Sequence, residues 1–263
     1  MPDVIEQPDQ PTSRAAGIGL YTEAASATDA WLAACRYLVE NDEAVGLHVN
    51  IASPTNADSA VVEALDQQLA SAHAITCKHV AATIFPDGLW AGAARRDPQR
   101  LFQHYNREGG YYERLRNRRR QSGHADWGTY FQRFSAPEYG KNGECQLACA
   151  IEALSRSQKP KGAIHLHASL ASDGFRVRGG PCLQLVTLHV ERRTIGQVLS
   201  ACAVYRNHDF FQKALGNYIG LGQLLGFLAE ASELEVGNLH VISGHAFLAP
   251  KGPVVEVLDA FGV

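Results

Sequence analysis

The sequence predicts an α+β fold built on a mixed, largely antiparallel sheet. Amphipathic helical stretches and alternating strands are interleaved without a strict strand, helix, strand beat. The 263 residues, 46% of them hydrophobic, are enough to bury one sizeable core. The stretch Asn217 to Ala231 is apolar on nearly every side, which suits a helix enclosed by the rest of the protein.

Taken in order, Met1 to Arg14 is rich in Pro, Asp, Gln and Ser and reads as a mobile tail, with a single domain from residue 15 to 263. Ala25 to Leu38 places Ala30, Trp31, Ala34 and Leu38 at helical spacing behind polar Ser26 and Thr28, an N-terminal cap signal. Ala44 to Ile51 alternates as a strand does. Asn56 to Ala70 is a second helix with a stripe of Val61, Val62, Leu65 and Leu69. Between Asp87 and Gly143 the chain turns Arg-, Gly- and Tyr-rich, which predicts helix pieces and long loops. Gln146 to Leu154 is a short helix and Ala163 to Ala168 a strand.

Leu183 to Val190 is an alternating strand with Leu183, Leu185, Thr187 and His189 on one face and Gln184, Val186, Leu188 and Val190 on the other. Gly196 to Tyr205 is a further strand. Leu239 to Ile242 and Val254 to Leu258 are expected to close the sheet.

The 24 Lys and Arg against 27 Asp and Glu give a net charge of −3, so no overall field favours nucleic acid or an acidic membrane. Six cysteines without a CxxC pair, and no signal-like start, predict reduced thiols in the cytoplasm and no metal site. Cys145 and Cys149 share a helical face and read as core. The run Arg114 to Arg120 reads as a solvated face first and a phosphate grip second.

The chemistry concentrates in the second half. Gly179-Gly180-Pro181-Cys182-Leu183-Gln184 sets a thiol after a rigid turn at the mouth of a strand, where a nearby guanidinium can favour thiolate. Downstream stand Arg206-Asn207-His208-Asp209 and, eight residues after Asp209, Asn217. Gly237-Asn238-Leu239-His240, Ser243-Gly244-His245-Ala246 and Trp127 to Arg133 complete the pattern. Taken one by one, these residues have plainer roles: Cys182 as a small buried hydrophobe, Asp209 as a cap or a partner of Arg206, Asn217 as a helix N-cap, His245 as a turn histidine.

In their order and spacing these motifs, spanning Ala125 to Leu248, resemble the thymidylate synthase family. The resemblance implies a three-layer α+β fold, a homodimer, and folate-dependent one-carbon transfer, methyl or hydroxymethyl, to C5 of a pyrimidine-type small molecule. Cys182 would be the nucleophile, with Arg206 beside it and beside an anionic substrate group, and Tyr130 a proton relay. Asn217, His245 and Gln184 would contact substrate. Asp209 and Lys213 would face the cofactor, 5,10-methylenetetrahydrofolate.

The chain also departs from the family's pattern. Leu183 stands where a histidine follows the nucleophile, Ser157 to Gly162 carries lysines in place of a phosphate-gripping Arg-Arg pair, and Lys213 and Gly216 replace a small glycine and an aromatic. These changes predict a specialised substrate and weak selectivity for a 5′-monophosphate, with Arg133 the other candidate for a phosphate contact. The alternative is a non-catalytic binding or assembly subunit that keeps the fold.

Overall fold

The computed structural model describes residues 17–18, 20–92, 96–114, 127–156, 160, 162–173, 180–194 and 196–263. The tail 1–14, residues 115–120 of the basic run, and Ser157, Gln158, Lys159 and Lys161 lie outside them.

Along the chain run β1 (Gly17–Ile18), β2 (Tyr21–Ala24), α1 (Ala27–Asn41), β3 (Glu43–Ile51), α2 (Ser59–Ser71), α3 (Cys77–Ile84), α4 (Asp87–Ala91) and α5 (Pro98–Asn106). Then come α6 (Tyr130–Ser135), α7 (Gln146–Ser155), β4 (Ile164–His167), β5 (Leu183–Arg193), β6 (Gly196–Asp209), α8 (Ala214–Ala231), β7 (Glu235–Phe247) and α9 (Gly252–Ala260). The strands form one mixed sheet in the order β1, β3, β7, β6, β5, β4, with β2 also beside β3. Pairs β3 with β7, β5 with β6 and β4 with β5 are antiparallel, whereas β6 with β7 and the two short strands on β3 are parallel.

Local chemistry sets the helix starts. Ser26 and Asp29 form a reciprocal capping box at α1. Thr129 accepts from the Gln132 backbone N–H at the start of α6 and also bonds the Tyr105 hydroxyl at 2.8 Å.

Helices α1 and α8 lie on one face of the sheet, and α3 covers α8 from outside. Enclosure by sheet below and helix above accounts for the nearly unbroken apolar sequence of α8. Gly216 and Gly220 make the contact with α3 close. A Cβ at Gly216 would stand 2.6 Å from Val80 Cβ, and one at Gly220 2.7 Å from the Ala81 carbonyl oxygen.

One feature of the sheet positions the site. On β3 the buried residues step from Ala44 to Leu47, on β7 from Ser243 to Ala246, and on β6 from Tyr205 to His208, three residues each time instead of two. Ala44 pairs with Ala246 and Leu47 with Ser243, while Tyr205 pairs with Ser243 and His208 with Ala246. Three neighbouring strands therefore change face at the same level. Because all three shift together, the pairing register is kept. Gly46, with φ +73°, supplies a left-handed backbone within this line on β3.

Two expectations are corrected. Val254 to Leu258 is part of helix α9, not a closing strand. Pro253 sits in its first turn, and Val254, Val257 and Leu258 are buried at helical spacing. The β-branched composition of the stretch hides that period. On β5, Leu183 shares the buried face with Val186 and Leu188, because the register shifts between Leu183 and Leu185 and moves Leu183 to the other side. Helix α3 and the short strands β1 and β2 are additions to the predicted elements, while α4, α5 and α6 are helix pieces within the stretch from Asp87 to Gly143.

Candidate active site

Cys182 stands one residue before β5, half-buried at the end of the sheet where β6 runs into α8. Three groups fix its backbone. The Tyr130 hydroxyl oxygen accepts the N–H groups of Cys182 at 3.0 Å and Leu183 at 3.1 Å. The Cys182 carbonyl accepts from the Arg206 N–H at 2.9 Å, which ties the turn to β6. The Gln184 amide donates to the carbonyls of Pro181 and Cys182, both at 3.1 Å, while its oxygen accepts from Ser169 at 3.0 Å. Gly180, at φ +78°, takes a left-handed conformation that a side chain would oppose, and its absent Cβ lies 3.9 Å from Arg206 Nη2.

The electrostatics around the thiol are balanced between burial and charge. Burial pushes the Cys182 thiol above the ordinary thiol range, against the charge and hydrogen bond of the Arg206 guanidinium; Asp209 adds to the rise and Lys213 opposes it. The resting group is a thiol held beside a cation. Burial also holds the Tyr130 phenol well above the ordinary phenol range, so it keeps its proton at physiological pH.

These directions predict a reactivity profile. The alkylation rate of Cys182 by iodoacetamide should keep rising about tenfold per pH unit beyond the pH at which an ordinary thiol levels off. Replacing Arg206 by Met should slow alkylation at pH 8, and replacing Asp209 by Asn should speed it. Peptide mass mapping after timed alkylation checks all three; a slower Asp209→Asn variant would contradict the stated balance of charges.

Asp209 closes β6. One carboxylate oxygen, Oδ1, accepts the N–H groups of Phe211 and Gln212, both at 3.0 Å, and so shapes the turn into α8. Burial raises its carboxyl, partly offset by those two N–H groups and by Lys213. Lys213 is the residue that precedes α8, and Asn217 follows one helical turn later on the same side.

Asn217 is 5% exposed, and its Nδ2 donates to His208 Nε2 at 3.1 Å. His208 is buried at the face change of β6, its Nδ1–H donates to Ser243 Oγ at 2.9 Å, and its ring lies flat on Tyr205 with centroids 4.1 Å apart and planes 6° apart. Burial lowers its imidazole to about 3, so the ring is neutral. Tyr205 in turn lies within electrostatic reach of Tyr130 and Cys182.

The structure thus gathers Cys182, Tyr130, Arg206, Asp209 and Lys213, and reaches Asn217 through His208 and Tyr205. Gln184 spends its side chain on the turn around Cys182. His245 is held on β7 by Glu43 at 2.9 Å and Asn207 at 3.3 Å. Arg133 is buried and committed: it bonds Asp173 at 2.6 Å and the carbonyls of Trp127 and Ala168. That arrangement makes Arg133 an anchor joining α6 to the segment after β4. The residues that sequence reasoning left without a role are His208, Ser243 and Tyr205.

No family model matches the chain, and no curated protein does. Among solved structures, the chain is similar to the thymidylate synthase of T4 phage at 16% identity, over 83% of this chain and 71% of that one, with a TM-score of 0.47.

Proposed function

We propose that this protein transfers a one-carbon unit from a folate to C5 of a uracil-type ring through a transient bond between Cys182 Sγ and ring C6. The observation that supports it most is the half-buried thiol within electrostatic reach of the Arg206 guanidinium, on a turn that Tyr130 and Gln184 hold still. The motif order of Cys182, Arg206, Asp209 and Asn217 agrees with that reading.

The chain's own residues divide the work. Once its proton leaves, Cys182 adds to C6, and the ring's C5=C6 electron pair moves toward the C4 oxygen, so that C5 becomes nucleophilic. Arg206 stabilises the thiolate and orients an anionic substrate group by charge-assisted hydrogen bonds. After C5 has gained its substituent and lost its proton, the C6–S bond breaks and the C5=C6 bond re-forms. Tyr130 fixes the nucleophile's backbone and holds a proton next to it. Asn217 meets the ring edge.

Folate chemistry fits the donor set. Asp209 commits Oδ1 to the backbone and leaves Oδ2 without a hydrogen bond from the described residues, an acceptor for the N–H groups of a pterin. Lys213 would face an acidic tail. A bound methylenetetrahydrofolate would supply the carbon unit at the oxidation level of formaldehyde; the hydride needed for a methyl product would come from the same folate, oxidised to the dihydro form, and the hydroxyl of a hydroxymethyl product would come from water.

The second face of the sheet, with Val45 and Tyr21 56% and 54% exposed, is the surface a second copy would cover in a homodimer. Incubation with deoxyuridine monophosphate or uridine and methylenetetrahydrofolate is expected to yield a product heavier by a CH2 or a CH2O unit at C5. Mass spectrometry that finds neither, with the protein folded and both compounds present in excess, would overturn the proposal.

A further inference from the structure

Asn217 on α8 and His208 on β6 face each other in a buried network that the proposed chemistry does not by itself require. We infer that His208 sets which pyrimidine edge Asn217 reads, by fixing its carboxamide in one of two orientations and so selecting a uracil-type over a cytosine-type ring. This assignment rests on the proposed function and names the specificity of the same site.

A carboxamide can pair with either ring, depending on which way round it sits. A uracil edge offers the C4 oxygen as acceptor and N3–H as donor; a cytosine edge offers the exocyclic amine as donor and N3 as acceptor. Turning the amide by 180° exchanges its oxygen and nitrogen and so exchanges the two preferences. The side chain alone is therefore not selective. Selectivity needs a neighbour that forbids one of the two orientations.

His208 is that neighbour. Its Nε2 accepts one N–H of Asn217 at 3.1 Å, which leaves Oδ1 and the second N–H for a ligand; Oδ1 takes no hydrogen bond from the described residues. Its Nδ1–H is engaged with Ser243 Oγ at 2.9 Å, on the neighbouring strand β7. Tyr205 stacks flat on the ring and prevents it from turning. If the carboxamide flipped, Oδ1 would meet the lone pair of Nε2, two acceptors face to face in a site shut off from water. Relief would need the imidazole proton to move from Nδ1 to Nε2 while the Ser243 hydroxyl turned from acceptor to donor.

The coordinated face change of the sheet is what brings the histidine there. With uninterrupted alternation after Tyr205, the next buried position on β6 would be Asn207; the three-residue step buries His208 instead, opposite Ala246 and next to Ser243 and Asn217.

Two measurements test the assignment. Nitrogen-15 NMR of the unliganded protein should show His208 as the neutral Nδ1–H tautomer with no titration between pH 5 and 8. Calorimetry with deoxyuridine and deoxycytidine monophosphates should show a uracil preference in the wild type. That preference should fall by about tenfold to a hundredfold in His208→Phe, which keeps a stacking ring but has no acceptor. Ser243→Ala removes the acceptor of Nδ1–H, should favour the Nε2–H tautomer, and should move the preference toward cytosine while leaving the ring in place; it serves if His208→Phe does not fold.

An Nε2–H tautomer in the wild type, or a uracil preference unchanged in whichever variants fold, overturns the assignment alone. Failure of the wild type to bind either nucleotide, and uridine as well, overturns the proposed function and this assignment together.

Discussion

Replacing Cys182 by serine is expected to lower turnover by about 10⁶-fold, the scale seen when a covalent nucleophile is removed from an enzyme. A hydroxyl is a far poorer nucleophile than a thiolate at physiological pH, and Arg206 can ionise a thiol but not an alcohol. The fold should hardly notice. The turn is fixed through the backbone of Cys182 and Leu183, through Gln184 and through Tyr130, none of which the sulfur supports. Steady-state rates, with a thermal melt of the same preparation, separate loss of chemistry from loss of structure. A variant of unchanged melting temperature and undiminished rate would leave Cys182 a packing residue.

Asn217→Asp should transfer the site's preference from a uracil-type to a cytosine-type ring, by up to about 10⁴-fold in the ratio of kcat/KM values. The carboxylate cannot donate to a ring C4 oxygen, whereas as an acceptor it suits an exocyclic amine. His208 can accommodate the change: its Nε2 would carry the proton toward the new carboxylate, and the Ser243 hydroxyl would donate to Nδ1. Rates of the wild type and the variant on both nucleotides check the ratio. Equal ratios would make Asn217 a structural partner of His208 and nothing more.

How far the sequence could be read depended on whether one period governed a stretch. Helices α1, α2 and α7 are legible because one repeat of apolar residues runs through each, α8 because its apolar run is nearly unbroken, and strands β3 to β7 because each holds a stretch of plain alternation. Their ends are less so: β6 continues four residues past Tyr205 and β7 extends at both ends. The misread segment at Val254 to Leu258 has three valines in five residues, a composition that favours strand while the burial follows a helix.

The site divides in the same way. Cys182, Arg206, Asp209 and Asn217 stand out by motif order, which is a property of the chain. His208 does not, because its burial comes from a face change shared by three strands in register, and no alternation within β6 alone reveals it. Gln184 and Arg133 show the converse: both are polar residues next to chemistry-bearing motifs, and each spends its side chain on holding backbone. Sequence proximity identified them; only hydrogen-bond geometry shows what they do.

If the Cys182 sulfur adds to C6 of a uracil-type ring, the hydrogen at C5 must exchange with solvent. Reversible addition makes C5 basic, so a ring incubated with the protein in deuterated water should lose its C5–H signal by proton NMR, with no folate required. The expected result is exchange of deoxyuridine monophosphate or uridine well above the buffer rate with the wild type, and none with Cys182→Ser. Exchange at the buffer rate with the wild type, or equal exchange with the serine variant, would contradict it.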